Sequence, residues 1–341
     1  MSKLTVIIPS VDRESYLDRA LEYWAGSDFE IIVVTNIVKS HPDINIITSQ
    51  ENFLQRITMA LDVAQGEYCV LCPNDDFLGF NALTSCIQLL DADTVCSSVV
   101  GKVASFCFAN TAGSNVAFLH HCQSMPEHLE SSVMERVESG FRNYSNNYWV
   151  VYRKHVLKKI LMACSGLENY NVVELIFKFG ALVEGTIRSI GKFLSLRESI
   201  PHSWGQTESN DTVYMKSPAN KKELEHLDVM LHRYFTLCID KPIETMMINY
   251  GLCCYKGESW ASFKKNPLKS MMNDLHDPYR IGVNIYRTLR SWFNRPRTLS
   301  EKEFSADMAF DEKNDLTRII AIIEKHANCD PTVAKVVNGE Q

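Results

Sequence analysis

The chain has 341 residues, of which 45% are hydrophobic and 22% are charged, and its formal net charge is −6 at pH 7. This length allows two domains, or one large domain with an appendage, and the composition is that of an ordinary globular protein. The negative charge argues against nucleic acid as a partner. The start, "MSKLTVIIPS", lacks the long apolar core of a signal peptide, and the sequence has no apolar run of the roughly 18 residues that a membrane span needs. We therefore expect a cytoplasmic protein.

The first hundred residues alternate strand-like and helix-like segments. Continuous apolar runs, typical of strands buried on both faces, occur at 4–10, 29–36, 44–49 and 67–73. Apolar residues with helical spacing occur at 14–25 and 52–66, and Gly66 is expected just beyond the end of the second helix. This β-α-β-β-α-β order predicts an α/β fold with a mostly parallel sheet flanked by helices.

Cys69 and Cys72 form a C-x-x-C pair in the predicted strand at 67–73. Residues three apart in a strand point to opposite faces, and the sequence contains no second pair of this kind. We therefore expect buried, reduced thiols there rather than a metal site.

Polar residues follow three of the predicted strands. In parallel sheets the ligand crevice lies beyond the carboxyl ends of the strands. We therefore expect one cleft to be lined by Pro9–Ser10, Thr35–Asn36 and Asn74–Asp75–Asp76.

The later chain is less regular. We predict helices at 81–91 and 169–182, strand-like segments at 94–109 and 185–198, and a strand at 148–152 that runs into a basic helix. Beyond residue 217 the strand signals fade, and two helices separated at Pro242 are expected. We predict a first domain at 1–215 and a helical C-terminal extension at 216–341.

Several of these segments together resemble the GT-A glycosyltransferases, especially the family 2-like nucleotide-sugar transferases. The segments are "VIIPSVDRESYLDRAL", "FEIIVVTN", "GEYCVLCPNDDF", "YWVVYRKHVL" and "LSLRESIPHSWG". The resemblance covers about residues 3–205 and implies the Rossmann-like GT-A fold. It implies an inverting transfer from a nucleotide-sugar donor to a glycan or lipid-linked acceptor, in the biosynthesis of surface polysaccharides or glycoconjugates.

The acidic doublet Asp75–Asp76 matches the family's metal-binding acids. The resemblance implies that it holds Mn²⁺ or Mg²⁺ against the leaving diphosphate, and carboxylate oxygens are the ligands that such hard cations prefer. A turn in which Asn74 and Asp75 cap backbone groups is the alternative. The resemblance also suggests His202 as a metal ligand or diphosphate contact, although a loop histidine is often only solvated.

Donor contacts are implied by the resemblance at Pro9, Ser10, Asp12, Arg13, Asn36, Arg56, Asn74, Asp75 and Arg197. Arg13 could instead pair with neighbours of Asp12 or with Asp18, and Arg56 could be a solvated helix charge. Pro73 stands where the family usually has its first acid, and Thr35 and Asn36 stand where acids usually follow the second strand. An asparagine both donates and accepts hydrogen bonds, so the identity of the donor base stays open.

The resemblance places the catalytic base near the start of the helix at 169–182. Glu168 and Glu174 are the candidates. Their alternative roles are a favourable interaction of Glu168 with the helix dipole and a pair between Glu174 and Lys178. A relocated base, or a retaining mechanism without one, also stays open. Trp149 and Trp204 are candidates for sugar or acceptor contacts.

The C-terminal part contains a basic, aromatic segment at 278–297 with five arginines and no acid. Such a segment can lie peripherally on an anionic membrane, and packing on the first domain is the alternative. The apolar face at 315–326 could pack within the chain or form a homo-oligomer contact.

Two other functions are compatible with the sequence. A sugar-phosphate nucleotidyltransferase would want a glycine-rich loop after the first strand, and "PSVDRES" has no glycine. A catalytically silent sugar- or nucleotide-binding protein on the same fold is consistent with Pro73 and Asn36.

Overall fold

The computed structural model describes residues 2–111, 114–119, 123–142, 145, 147–167, 170–198, 221–235 and 299–326. The strands of the sheet are β1 (Leu4–Ser10), β2 (Glu30–Thr35), β3 (Asn45–Thr48), β4 (Tyr68–Leu71), β5 (Phe77–Leu78), β6 (Cys96–Thr111), β7 (Ser114–Phe118), β8 (Val151–Arg153) and β9 (Thr186–Glu198). The helices are α1 (Glu14–Trp24), α2 (Phe53–Val63), α3 (Phe80–Ala92), α4 (Val133–Arg142), α5 (Lys154–Ala163), α6 (Tyr170–Glu184), α7 (Lys221–Tyr234), α8 (Glu301–Phe304) and α9 (Phe310–His326).

The strands form one sheet in the order β3-β2-β1-β4-β8-β6-β9-β5, with β7 paired to β6. The four N-terminal strands are mutually parallel. Because β8 is antiparallel to both β4 and β6, and β9 is parallel to β6, six strands run in the same direction. The predicted α/β class with a mostly parallel sheet is confirmed.

This topology decides which residues meet. The carboxyl ends of β1, β2, β4 and β9 lie at one edge of the sheet, and the antiparallel β8 begins at that same edge. Residues that follow the first four strands and residues that precede β8 are therefore brought together. We call this edge the carboxyl edge.

Each face of the sheet carries a separate apolar core. One core is formed with α1, α3 and α9, and the other with α2, α4, α5, α6 and α7. Cys72 belongs to the first core and Cys69 to the second, so the two thiols point to opposite faces as predicted.

The end of α2 differs from the prediction. The helix begins with a capping box at Asn52 and ends at Val63, with Ala64 as its C-cap, so Gly66 does not terminate it. Gly66 is needed for another reason. Its N–H donates to Oγ1 of Thr5 at 3.1 Å, and a Cβ at this position would lie 2.7 Å from the backbone nitrogen of Thr5.

Within 216–341 the structure describes α7, α8 and α9, which pack against the two cores, and a β-bridge at Leu299. On one face α7 contributes Leu227 and Leu231. On the other face α9 contributes Leu316, Ile319 and Ile323. The boundary at 215/216 stays a prediction. Within the described ranges, no helix is both long enough and apolar enough to cross a bilayer.

Candidate active site

The loops after β1 and β2 meet at the carboxyl edge through Asp12 and Asn36. The backbone N–H of Asp12 donates to Oδ1 of Asn36 at 3.1 Å, and the Asn36 amide donates back to the Asp12 carboxylate. Asp12 has a φ of +50°, a left-handed conformation that aspartate tolerates better than most residues. A second carboxylate at position 36 would face Asp12, so the acid and the amide are complementary.

Ser10 and Asn74 join the ends of β1 and β4. The Asn74 amide donates to Oγ of Ser10 at 2.8 Å, and both residues are buried. Behind them, the buried Arg56 donates to the backbone carbonyls of Ser10 and Glu51, each at 2.6 Å. These bonds fix the backbone of the first loop, and the half-buried Pro9 directly precedes Ser10 in β1.

The doublet lies on a turn in which the N–H of Asp76 donates to the carbonyl of Pro73 at 3.1 Å. Arg13 contacts its first member directly, with Nη1 2.6 Å from Oδ2 of Asp75. Neither Asp12 nor Asp18 is the ion-pair partner that the structure gives to Arg13.

Asp76 is a buried carboxylate. Its Oδ1 accepts the backbone N–H of Glu198 at 3.1 Å, and its Oδ2 lies 3.8 Å from Nε of Arg197. Burial raises the pKa of Asp76 well above its usual range, and the charge of Asp75 raises it further. At 3.8 Å, Arg197 therefore compensates the negative charge of Asp76 only in part.

Arg197 and Trp149 form a stacked pair beside Asp76. The guanidinium carbon lies 3.6 Å from the centroid of the indole ring. The indole N–H is near enough to favour the charged form of Asp76, but it forms no hydrogen bond of normal geometry within the described part of the chain. Trp149, predicted to contact sugar or acceptor, thus lies at the doublet.

A second buried ion pair, which the sequence analysis missed, supports the doublet. Nη2 of Arg19 lies 2.7 Å from Oε2 of Glu198 and 3.2 Å from the carbonyl oxygen of Asp75. The hydroxyl of Tyr16 donates to Glu198 at 3.1 Å. Burial raises the pKa of Glu198, and Arg19 opposes this shift. In the sequence, the spacing of Arg13, Tyr16 and Arg19 could have indicated that these side chains act together, because residues three apart lie on one side of a helix.

Six charged residues thus form what we call the acid–arginine cluster: Asp75, Asp76, Glu198, Arg13, Arg19 and Arg197. Their formal charges balance when all three carboxylates are ionised. The members come from α1, from the loop after β4 and from the end of β9.

The doublet fits a divalent cation in its chemistry, because it offers hard carboxylate oxygens, and the buried Asp76 has its arginine partner no closer than 3.8 Å. No group of three or more His, Cys, Asp or Glu residues suited to a metal occurs in the described ranges. A cation would therefore need further ligands, and it would meet Arg13 at Asp75.

Four predicted features lie outside the described residues: Glu168, His202, Trp204 and the segment 278–297. Glu174 is half-buried in α6. Lys178, its predicted pairing partner, places its Nζ 3.1 Å from Nε2 of His128 and 3.2 Å from Oγ of Ser145. Glu174 as the base stays a prediction.

Solved structures similar to this chain include those of TarS from S. aureus. Residues 1–349 of TarS match with a TM-score of 0.49 and 13% identity over 96% of this chain and 92% of that chain. The corresponding complex with UDP-GlcNAc gives a TM-score of 0.49 and 12% identity over the same shares, and the complex with UDP gives 0.40 and 15%. No protein-family profile and no curated protein matches the chain. Because the identities and scores are low, no functional statement rests on this likeness.

Proposed function

We propose that the protein is a glycosyltransferase that uses a nucleotide sugar, and that the carboxyl edge is its donor site. The observation that carries the proposal is the doublet Asp75–Asp76. It lies at the carboxyl ends of parallel strands, in contact with residues that follow β1 and with the end of β9. This is where α/β sheets bind their ligands, and the segments that meet there are those in which the sequence resembles the GT-A enzymes.

The donor nucleotide would bind across the loops after β1 and β2. The Asp12 carboxylate can accept hydrogen bonds, and the Asn36 amide can both donate and accept them. The two side chains can therefore bind a base or a ribose. Ser10 and Asn74 fix the floor between the ends of β1 and β4. Arg13 and Arg197 are half-exposed guanidinium groups at the doublet, suited to phosphate oxygens.

The departure of the nucleoside diphosphate is the step in which negative charge develops. Asp75 and Asp76 would hold Mn²⁺ or Mg²⁺, and such a cation, when bound, supplies Lewis-acid stabilisation of the leaving diphosphate. Arg13 and Arg197 add positive charge at the same place. The Arg19–Glu198 pair positions the turn through the carbonyl of Asp75 and the N–H of Glu198.

The acceptor side follows from the sequence resemblance. Glu168 or Glu174 would take the proton of the acceptor hydroxyl in an inverting transfer. The acceptor would be a glycan or a lipid-linked sugar, with Trp149 and Trp204 as walls for a sugar ring. The biological setting would be the assembly of a surface polysaccharide or glycoconjugate.

The first prediction tests this function by release of nucleoside diphosphate. The protein is incubated with UDP-, GDP-, CDP- and dTDP-sugars in Mn²⁺, in Mg²⁺ or in EDTA. We expect metal-dependent release with one donor class, reduced at least about 100-fold in Asp75→Asn and Asp76→Asn, because a cation contributes several kcal/mol to charge stabilisation. The matched control is Asp62→Asn on the exposed side of α2.

A catalytically silent binding protein is the second candidate, and Pro73 at the position of the usual first acid favours it. Calorimetry separates the two. Metal-dependent nucleotide binding without turnover of any donor would support the silent protein. Absence of both binding and turnover would contradict both functions.

A further inference from the structure

Arg13 holds a position at the doublet that none of the other described arginines shares. Its Nη1 lies 2.6 Å from Oδ2 of Asp75, whereas Arg197 is 3.8 Å from Asp76 and Arg19 reaches the doublet only at the Asp75 carbonyl oxygen. A divalent cation bound by the doublet would therefore compete with Arg13 for the carboxylate of Asp75.

Arg13 can also move away from Asp75 without loss of structure. Its side chain is 33% exposed, and its guanidinium carbon lies 5.3 Å from the centroid of the Tyr16 ring. Arg19 is 5% exposed and lies against Tyr16 and Phe77, whereas Arg197 is more exposed than Arg13 but stacks closely on Trp149. Its backbone is held independently, because the carbonyl of Arg13 accepts the N–H of Leu17 at the start of α1. A change of side-chain rotamer would therefore free Asp75 and leave α1 intact.

The second member of the doublet has no close counter-ion among the described residues. Asp76 is buried, and its ion pair with Arg197 has a nitrogen–oxygen distance of 3.8 Å. Its other oxygen, Oδ1, accepts the neutral backbone N–H of Glu198 at 3.1 Å.

We propose that Arg13 is an internal counter-ion that neutralises Asp75 in the ligand-free protein and that a divalent cation must displace. Arg13 is thus a positioning residue for the donor site, and the inference rests on the proposed function. In the free protein its charge reduces the repulsion between the two adjacent carboxylates at the carboxyl edge. Once displaced, its guanidinium is available to the phosphate groups that arrive with the donor.

The proposal predicts that removing Arg13 improves binding of the metal alone. Mn²⁺ is titrated calorimetrically into the nucleotide-free protein. We expect Arg13→Gln to bind Mn²⁺ about ten-fold more tightly than the wild type, because a competing unit charge is lost from a partly exposed ion pair. Arg13→Lys, which keeps the charge, should stay within about three-fold of the wild type.

Two further variants isolate the cause. Arg188→Gln removes a comparable arginine near the start of β9, whose Nη1 lies 3.2 Å from the carboxylate of Asp93. This variant should leave the affinity for Mn²⁺ unchanged. Asp75→Asn combined with Arg13→Gln should abolish the gain. Thermal melts without metal confirm that each variant is folded.

Equal or weaker Mn²⁺ binding by folded Arg13→Gln would overturn the proposal, as would Mn²⁺ binding to none of the variants. These results differ from a failure of the proposed function, which is the absence of nucleotide-sugar turnover by the wild type. A wild type that turns over a donor while Arg13→Gln gains no Mn²⁺ affinity would retain the function and reject the role of Arg13.

Discussion

Lys178 is 1% exposed, although lysine side chains usually keep their charge in water. Its Nζ lies near the ring of His128, whose other nitrogen lies 3.3 Å from Oγ of Ser139. Burial lowers the pKa of Lys178 to about 7. Burial and the charge of Lys178 lower the pKa of His128 to about 4, and Glu130 opposes that shift. The helix α6 thus carries a buried amine that loses its charge near neutral pH.

This gives a prediction on pH and stability. Between pH 7 and the ordinary lysine pKa of 10.5, the unfolded chain binds more protons at Lys178 than the folded chain does. Stability contributed by this residue therefore rises with pH across that window and levels off below it. Lys178→Met should flatten this rise and increase the free energy of unfolding at pH 7 by about 1–3 kcal/mol.

Urea unfolding at several pH values between 6 and 10 measures the difference between the wild type and the variant. Lys158→Met, on the exposed side of α5, is the control and should keep the slope of the wild type. A Lys178→Met variant with an unchanged slope would show that the amine is not buried in solution.

At the residue scale, the sequence predicted which residues lie at the carboxyl edge, but it did not predict which side chains pair with one another there. The doublet and the loops after β1 and β2 could be located because strand ends are visible as the ends of apolar runs. The pairing of Arg13 with Asp75 could not be predicted, because 62 residues separate the two and other acids lie nearer to Arg13 in the sequence. Glu198 was missed because its partner, Arg19, is buried within a helix whose apolar residues dominated the pattern.

At the element scale, α9 holds together α1 and β9, which contribute to the site, and α3, which begins shortly after the doublet. Nη2 of Arg318 donates to the carbonyl of Tyr23 in α1 at 2.9 Å. Glu312 accepts the N–H of Phe193 in β9 at 2.6 Å. Asp315 accepts the N–H groups of Asn81 and Ala82 in the first turn of α3.

Asp315 therefore caps a helix that starts without a side-chain cap of its own, since its N-cap is Gly79. A Cβ at Gly79 would lie 2.5 Å from Oδ2 of Asp315, so the approach of α9 requires glycine there. Asp315→Ala would leave the N–H groups of Asn81 and Ala82, the latter buried, without this acceptor. We expect it to lower the free energy of unfolding by about 1–3 kcal/mol.

Chemical unfolding measures this cost. Asp311→Ala, one turn earlier on α9, removes a more exposed carboxylate that lies 2.7 Å from Lys192. This control should cost about 0–1 kcal/mol. Equal effects of the two substitutions would contradict the capping role of Asp315.

The limits of sequence prediction are clearest for these elements. Strands buried on both faces appear in a sequence as continuous apolar runs, and amphipathic helices appear as apolar residues with helical spacing. For this reason β1 to β4 and α1 to α3 were predicted close to their bounds. The contacts of α9 depend on residues more than 100 positions away, as in the bond from Asn81 to Asp315, which spans 234 positions. Gly66 was misassigned for a similar reason, because its neighbour is Thr5 in another strand rather than its own helix.

At the scale of the whole molecule, the chain after residue 215 completes both cores. Residues contributed to the two cores by this part include Leu227, Leu231, Phe235, Leu316, Ile319 and Ile323, each at most 1% exposed. Burial of one such side chain contributes about 1.5–3 kcal/mol. Together they are comparable with the roughly 5–15 kcal/mol of a whole domain's stability.

A chain that ends at residue 215 should therefore fail to form a cooperatively folded protein. Thermal unfolding followed by circular dichroism measures this, and a chain that ends at residue 326 serves as the control because it keeps every described contact. A sharp transition in the shorter chain would instead show that the predicted first domain at 1–215 folds on its own.

The cap that α9 places on α3 has a consequence for biosynthesis. The first two hundred residues leave the ribosome while Asp315 has yet to be translated, so the start of α3, directly after the doublet, waits for its acceptor. Premature termination before α9 yields a polypeptide in which the first turn of α3, close after the doublet, lacks its acceptor. The segment that carries the doublet is thus supported on this side only in translation products that extend through α9.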